Sequence, residues 1–235
     1  MTIEFSDERP RVAVLVGDKG NLGPIWEACL GEMGIMFHSF GLPGYDITCK
    51  DDRERMYTKC SANRPQPHII IYNAAIDNPP GSDASFFGNI EKIIEVNLLG
   101  AVQAAELFCS MLQRNGGGTF ITIGSILGNV AADHRNYPAG FEKPVGYNLS
   151  KAALQQLSKS ITEKYGRYNI RAVTLAFGPV DTGKFSDDFK SKILANIPMG
   201  RFISEASLKA TLRFAIDAQE FAGQTVLVDA GYCSC

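Results

Sequence analysis

The chain has 235 residues, 45% hydrophobic and 20% charged, with 23 Lys plus Arg against 25 Asp plus Glu. That length predicts one domain over residues 1–235, and the composition is that of a folded chain, not a disordered one. The formal net charge of −2 offers no electrostatic footprint for nucleic acid or an anionic membrane, and no apolar run approaches the ~20 residues of a membrane span.

The expected partner is therefore a small molecule. The N-terminus, MTIEFSDERP, is polar and acidic, unlike a secretory signal. None of the six cysteines forms a C-x-x-C pair, so no metal site is expected and a reducing cytoplasm is the simplest compartment. Cys233 and Cys235 are read as part of a plain mobile terminus, with a reactive pair as the alternative.

Short apolar runs alternate with helical patterns. Val12 to Val16 reads as a buried strand ending at Gly17, followed by a helix from Pro24 to about Met33. Ile35 to Phe40 is a second strand, and Thr48 with Asp51 suggests a capping box opening a helix to about Ala62. A strand at 68–72, a helix at 89–114, a strand at 119–123 and a helix at 145–168 follow. Then come a strand at 170–176, a loop with a short helix over 178–203, a helix from Ser204 to about Gln219 and a strand at 225–228. This order predicts a doubly wound α/β fold, a mainly parallel sheet with helices on both faces in three layers. Ligands of such sheets bind beyond the carboxyl ends of the strands.

The first such end reads Gly17-Asp-Lys-Gly-Asn-Leu-Gly23 and leads into a helix. Glycines let backbone approach a pyrophosphate, and the helix start offers free N–H groups. The acid that usually holds the adenosine ribose after the second strand is missing, since Ser39-Phe40-Gly41 stands there. Asp46 either contacts the adenine edge or starts the next helix. Lys19 either pairs with a 2′-phosphate or is a solvated surface lysine. The cofactor expectation is NADP or NAD, with a slight lean to NADP.

Tyr147 and Lys151 are four apart on one helix face. A nearby ammonium lowers a phenol pKa from its usual ~10, so Tyr147 is a candidate proton donor or acceptor. Ser125, just past the fourth strand, is placed to hydrogen-bond the same substrate oxygen. Asn97 interrupts an apolar helix and, if buried, must hold a water or a backbone group.

Together these residues resemble the short-chain dehydrogenase/reductase family, classical type, over nearly the whole chain. Gly17 to Gly23 resembles its T-G-x-x-x-G-x-G turn, Asp46-Ile47-Thr48 its adenine-contacting element, and Tyr72-Asn-Ala-Ala75 its N-N-A-G strand end. Asn97 matches the helix asparagine, Ser125 the active-site serine, and Tyr147-Asn-Leu-Ser-Lys151 the Y-x-x-x-K motif. Gly178-Pro-Val-Asp-Thr182 is similar to the element bordering the nicotinamide, and residues 223–231 to the closing strand.

The resemblance implies a Rossmann-type fold with Asn97, Ser125, Tyr147 and Lys151 as the catalytic set. Tyr147 would be the acid/base, with its pKa lowered by Lys151, and Asn97 would anchor a relay water. The implied cofactor contacts are Gly17, Lys19, Asn21, Leu22, Gly23, Asp46, Ile47, Asn73, Ala74, Ala75, Tyr147, Lys151, Val180 and Thr182. The departures are Val16, Asn21, Ala75 and Phe177, where the family usually has Thr, Gly, Gly and Pro.

The segment from Ala131 to Pro144 lengthens the usual Ser-to-Tyr spacing and is expected to wall the pocket. It places His134, Arg135, Asn136 and Tyr137 as donors for a hydroxyl-rich or anionic substrate, alongside Ser125 and Tyr147. The insert also resembles a subgroup of surface-glycan and nonulosonic acid pathways. Residues 178–203 are expected to form a lid.

The expected activity is hydride transfer between a nicotinamide and a ketone or secondary alcohol, with a sugar-type substrate favoured over a 3-oxoacyl or small hydroxy compound. The alternative of another class is a catalytically silent cofactor-binding regulator. A homotetramer or homodimer packed through helices 89–114 and 145–168 is also expected from the resemblance.

Overall fold

The computed structural model describes residues 11–62, 65–78 and 85–234. The polar N-terminal segment and Cys235 lie outside these residues. The chain runs β1 (Val12–Val16), α1 (Gly23–Glu32), β2 (Met36–Phe40), α2 (Lys50–Ala62) and β3 (Ile69–Tyr72). It continues with α3 (Ile90–Ile94), a π-helical turn (Glu95–Leu99), α4 (Gly100–Arg114), β4 (Gly118–Ile123) and α5 (Val145–Tyr165). The last elements are β5 (Ile170–Phe177), α6 (Asp187–Ala195), α7 (Glu205–Asp217) and β6 (Thr225–Val228).

The six strands form one sheet in the order β2-β1-β3-β4-β5-β6, with every pairing parallel. Residues of β1, β3, β4 and β5 are buried on both faces, so β1 and β3 run apolar without alternation, while β4 and β5 also bury Thr119, Thr122, Arg171 and Thr174. One core layer joins Val14, Ile70, Phe120 and Ala172 to Met56, Phe108 and Leu154 of the α2, α4 and α5 side. The other joins Leu15, Ile71, Ile121 and Val173 to Trp26, Leu30 and Leu212 of the α1 and α7 side.

The strand order reverses between β1 and β3, which puts the ligand crevice at their carboxyl ends. A six-stranded dinucleotide fold commonly runs 3-2-1-4-5-6. Here the first half holds two strands, so β2 is an edge strand and Asp46 lies in the loop after it.

Three expectations change. The Thr48–Asp51 capping box does not form. Instead the Asp46 carboxylate accepts from the Thr48 N–H and hydroxyl, each at 2.8 Å, and Asp52 reaches back to the Asp46 N–H at 2.8 Å. The segment Ile90–Arg114 is, at 25 residues and a mean hydropathy of 1.4 over its best window, long and apolar enough to cross a membrane by length and composition. In the fold its buried Ala101, Ala104, Phe108, Met111 and Leu112 pack in the core. Finally, the end of the described chain is held, not loose: Tyr232–Ser234 form a 3-10 turn, the Cys233 N–H donates to Asp229 at 2.7 Å, and burial, then Asp229, push the Cys233 thiol up to about 11.

Candidate active site

The catalytic set expected from the sequence comes together at the ends of β3 and β4 and the start of α5. Ser125 follows β4. Its Oγ accepts from the Leu127 N–H at 3.2 Å, and its side chain is near enough to the Tyr147 phenol to act on its titration. Lys151 lies one turn on, buried, with its Nζ donating to the Ile123 carbonyl at 2.7 Å and 5.5 Å from the Tyr147 ring centroid.

The protonation states differ from the expectation. Burial, then the nearby Asp77 carboxylate, raises the Tyr147 phenol well above its usual value, and only Ser125 opposes them. Burial pushes Lys151 down to about 8. Burial thus outweighs the lowering expected of the Lys151 ammonium, whose Nζ donates to the Ile123 carbonyl. A neutral phenol is a proton donor.

Asn97 is wholly buried in the π-helical turn, and its side chain holds a backbone group, one of the two partners expected of it. Its Oδ1 accepts from the Ile76 N–H at 2.7 Å, and its Nδ2 donates to the Ile76 carbonyl at 3.0 Å and to Ser150 Oγ at 3.2 Å. Ser150 in turn donates to the Tyr147 carbonyl at 2.7 Å. Asn97 therefore positions the backbone of the Tyr147 turn. The wider π turn also leaves the Val96 carbonyl to accept from the Tyr72 hydroxyl.

The glycine turn sits against β3. Gly17 has φ +93°, and a Cβ there would stand 2.4 Å from the Ala74 nitrogen, so only glycine fits. Asn73 ties the same two strand ends: its Nδ2 donates to the Gly17 carbonyl at 2.7 Å and its Oδ1 accepts from Trp26 Nε1 at 2.9 Å. Phe177, where the family has proline, packs against Trp26 with ring centroids 5.8 Å apart.

Among the described hydrogen bonds none engages the N–H groups of Asn21 and Leu22 at the start of α1. A diphosphate fits there, since such N–H groups and the helix dipole favour an anion. Asn21 Oδ1 accepts from Lys184 Nζ at 2.5 Å, which joins the turn to the 178–203 segment. Val180 is half-buried against the α1-side core, and Thr182 is half-buried beside it. Asp46 Oδ1 accepts both Thr48 bonds, which leaves Oδ2 unengaged among the described hydrogen bonds, and the Ile47 side chain is buried in the core. Lys19 is 70% exposed and pairs with Asp18 at 3.0 Å.

The insert divides. Arg135 does not reach the site: it forks onto Asp133 at 2.7 to 3.1 Å and is 87% exposed, the geometry of a local turn. His134 is exposed, with its ring 6.3 Å from that of Tyr137. Tyr137 packs inward on Phe141 and on Phe189 of α6, at 5.1 and 5.3 Å, and Asn136 is buried and accepts from Asn196 at 2.7 Å.

Sequence reasoning missed one pair beside the phenol. Lys143 is buried, pairs with Asp77, and stands 4.5 Å from the Tyr147 ring centroid. Its signal was the spacing Lys143, Tyr147, Lys151 at successive fours.

A phenol donor, a serine for the same oxygen, a buried lysine and a diphosphate-fitting turn at one sheet edge define a nucleotide-dependent oxidoreductase site. A family model described as enoyl-(acyl carrier protein) reductase matches residues 38–233. An NADH-dependent L-xylulose reductase of Ambrosiozyma monospora is 27% identical over 80% of this chain and 71% of its own. The 3-oxoacyl-[acyl-carrier-protein] reductase MabA of Mycobacterium bovis is 26% identical over 79% and 74%. Two solved structures share the fold. A short-chain dehydrogenase from Leptospira borgpetersenii with bound NAD+ has a TM-score of 0.82 and 20% identity, over 99% of this chain and 96% of that one. A gluconate 5-dehydrogenase from Burkholderia cenocepacia, in complex with NADP and tartrate, has 0.80 and 18%, over 97% and 96%. The chain belongs to the short-chain dehydrogenase/reductase family. It is an oxidoreductase of hydroxyl and keto groups.

Proposed function

We propose that the chain interconverts a ketone and a secondary alcohol on a polar, sugar-type substrate, with NAD(P) as cofactor. The observation that carries it is the convergence of Ser125, Tyr147 and Lys151 at the end of β4 and the start of α5, with Lys151 Nζ 5.5 Å from the Tyr147 ring centroid. When bound, the nicotinamide supplies or accepts the hydride. The N–H groups of Asn21 and Leu22 hold the diphosphate, Lys151 the nicotinamide ribose, and Val180 and Thr182 border the ring. Ser125 orients the substrate oxygen, and Tyr147 delivers its phenolic proton to that oxygen in reduction. Residues 178–203 act as the lid, drawn down by the Lys184–Asn21 contact and the aromatic packing of Phe189 on Tyr137.

The Lys143–Asp77 pair supports the sugar-type reading. A cation beside a carboxylate offers a donor and an acceptor to adjacent hydroxyls. A 3-oxoacyl or small hydroxy substrate is the second reading, favoured by the apolar wall of Tyr137, Phe141, Phe185 and Phe189. Assay of the purified protein with keto sugars and with 3-oxoacyl thioesters separates them. Turnover of the thioesters alone overturns the sugar reading.

We also place the chain in the cytoplasm, on the free cysteines Cys29, Cys60 and Cys109 buried in its core. Assembly as a homodimer or homotetramer through α4 and α5 is supported by exposed Leu99, Val102 and Leu149 near those helices. Light scattering after size exclusion reads the mass, and a monomer contradicts the assembly.

A further inference from the structure

The acid that dinucleotide folds place after the second strand is absent from β2, yet a carboxylate from the turn after β1 lies against the end of that strand. Asp18 follows Gly17 in the turn after β1, and its side chain is only 7% exposed. Its Oδ2 lies 3.0 Å from Lys19 Nζ, while its Oδ1 is buried and has no hydrogen-bond partner in the described structure. A buried carboxylate oxygen without a partner is costly, so its retention asks for a ligand.

The geometry identifies where that oxygen sits. A Cβ built on Gly41, the residue just past β2, would stand 2.2 Å from Asp18 Oδ1 and 3.5 Å from Asp18 Cγ. The Asp18 carboxylate thus fills the space into which a side chain at the end of β2 would project. Gly41 makes this possible, because any larger residue would collide with the carboxylate. The Gly17 N–H donates to the Phe40 carbonyl at 2.6 Å and holds the two strand ends together at this point.

Resting on the cofactor reading above, we propose that Asp18 receives the hydroxyls of the adenosine ribose. It thereby sets a preference for NAD(H) over NADP(H), against the lean that Lys19 alone suggests. An ionised carboxylate accepts only, so it suits two hydroxyl donors and repels a 2′-phosphate. A second carboxylate lies at the same edge, where Glu27 accepts from the Ser39 hydroxyl at 2.5 Å. Lys19, mostly exposed and already paired to Asp18, is the group that the ribose displaces.

The test is equilibrium titration of the purified protein with NADH and with NADPH, followed by nicotinamide fluorescence. Wild type is expected to bind NADH at least tenfold tighter than NADPH. Asp18→Ser is expected to weaken NADH tenfold or more while NADPH binding holds or improves, with folding checked by circular dichroism. Lys19→Ala gives an independent reading, with NADPH affinity expected to change less than threefold. Equal or tighter binding of NADPH by wild type overturns the proposal. So does an unchanged nucleotide ratio in Asp18→Ser, or a tenfold loss of NADPH affinity in Lys19→Ala. Each of these leaves the dinucleotide site standing, whereas folded wild-type protein that binds neither nucleotide overturns both.

Discussion

The Lys143 ammonium stands 4.5 Å from the centroid of the Tyr147 ring, nearer than Lys151 at 5.5 Å. The catalytic phenol therefore lies among three charged groups, because Lys143 is held there by Asp77. The three act in opposite senses. Asp77 raises both Tyr147 and Lys151, and Lys143 lowers Lys151.

Removing the carboxylate exposes that balance. In Asp77→Asn both groups lose the charge that raised them. The high-pH limb of kcat/KM is expected to move to lower pH, by on the order of one unit. Lys143 is left buried without its partner, at a cost of roughly 1–3 kcal/mol in denaturant unfolding. A pH profile that superimposes on wild type contradicts the coupling.

Lys151 gives the profile its sign. Burial holds it at about 8, while Tyr147 keeps its proton to well above its ordinary value. As pH rises through about 8, the free enzyme loses the ammonium and keeps the phenol proton. For carbonyl reduction, kcat/KM is expected to be level below pH 8 and to fall above it. The same shift bears on stability. The unfolded chain holds this proton up to ~10.4, so unfolding takes up a proton between the two values, and stability from this group rises with pH across that window. Melting temperatures of Lys151→Met and wild type are expected to converge as pH rises through it. A gap independent of pH contradicts the assignment.

Asn97 is a test of positioning. Its amide serves both polar groups of Ile76 and the Ser150 hydroxyl inside a dry helix turn. Asn97→Ala leaves those groups buried without partners and is expected to cost about 2–4 kcal/mol. Because Ser150 anchors the Tyr147 carbonyl, kcat is expected to fall further than nucleotide affinity. Loss of stability with unchanged kcat contradicts the positioning role.

The two neighbours Arg135 and Asn136 are expected to diverge. Arg135→Ala removes an exposed local pair and should change kcat/KM by less than about twofold. Asn136→Ala breaks the contact to Asn196 at the end of α6 and should raise KM several-fold by loosening the lid. Steady-state kinetics of both variants with one substrate decide it. Equal effects contradict the division of the insert.

Much of this was legible in the chain. Strand runs such as Val12–Val16 and Ile69–Tyr72 are apolar because both faces are covered, and the turn and Tyr-x-x-x-Lys spacings are local. Departures arose where the folded chain decides which partner a side chain takes. Asp18 looked like a turn residue, since its fit over Gly41 depends on how β1 and β2 pair. Arg135 looked available because nothing in the sequence shows that Asp133 claims its guanidinium. The raised Tyr147 and lowered Lys151 are decided first by burial, which no spacing reveals.

The central claim is that Tyr147 carries the proton at a dinucleotide site. Its most direct test is Tyr147→Phe, with nucleotide binding and turnover measured on the same preparation. The account predicts nucleotide affinity within about threefold of wild type and a loss of kcat of about 10²–10⁴. Retained turnover in a folded variant that still binds nucleotide would contradict it.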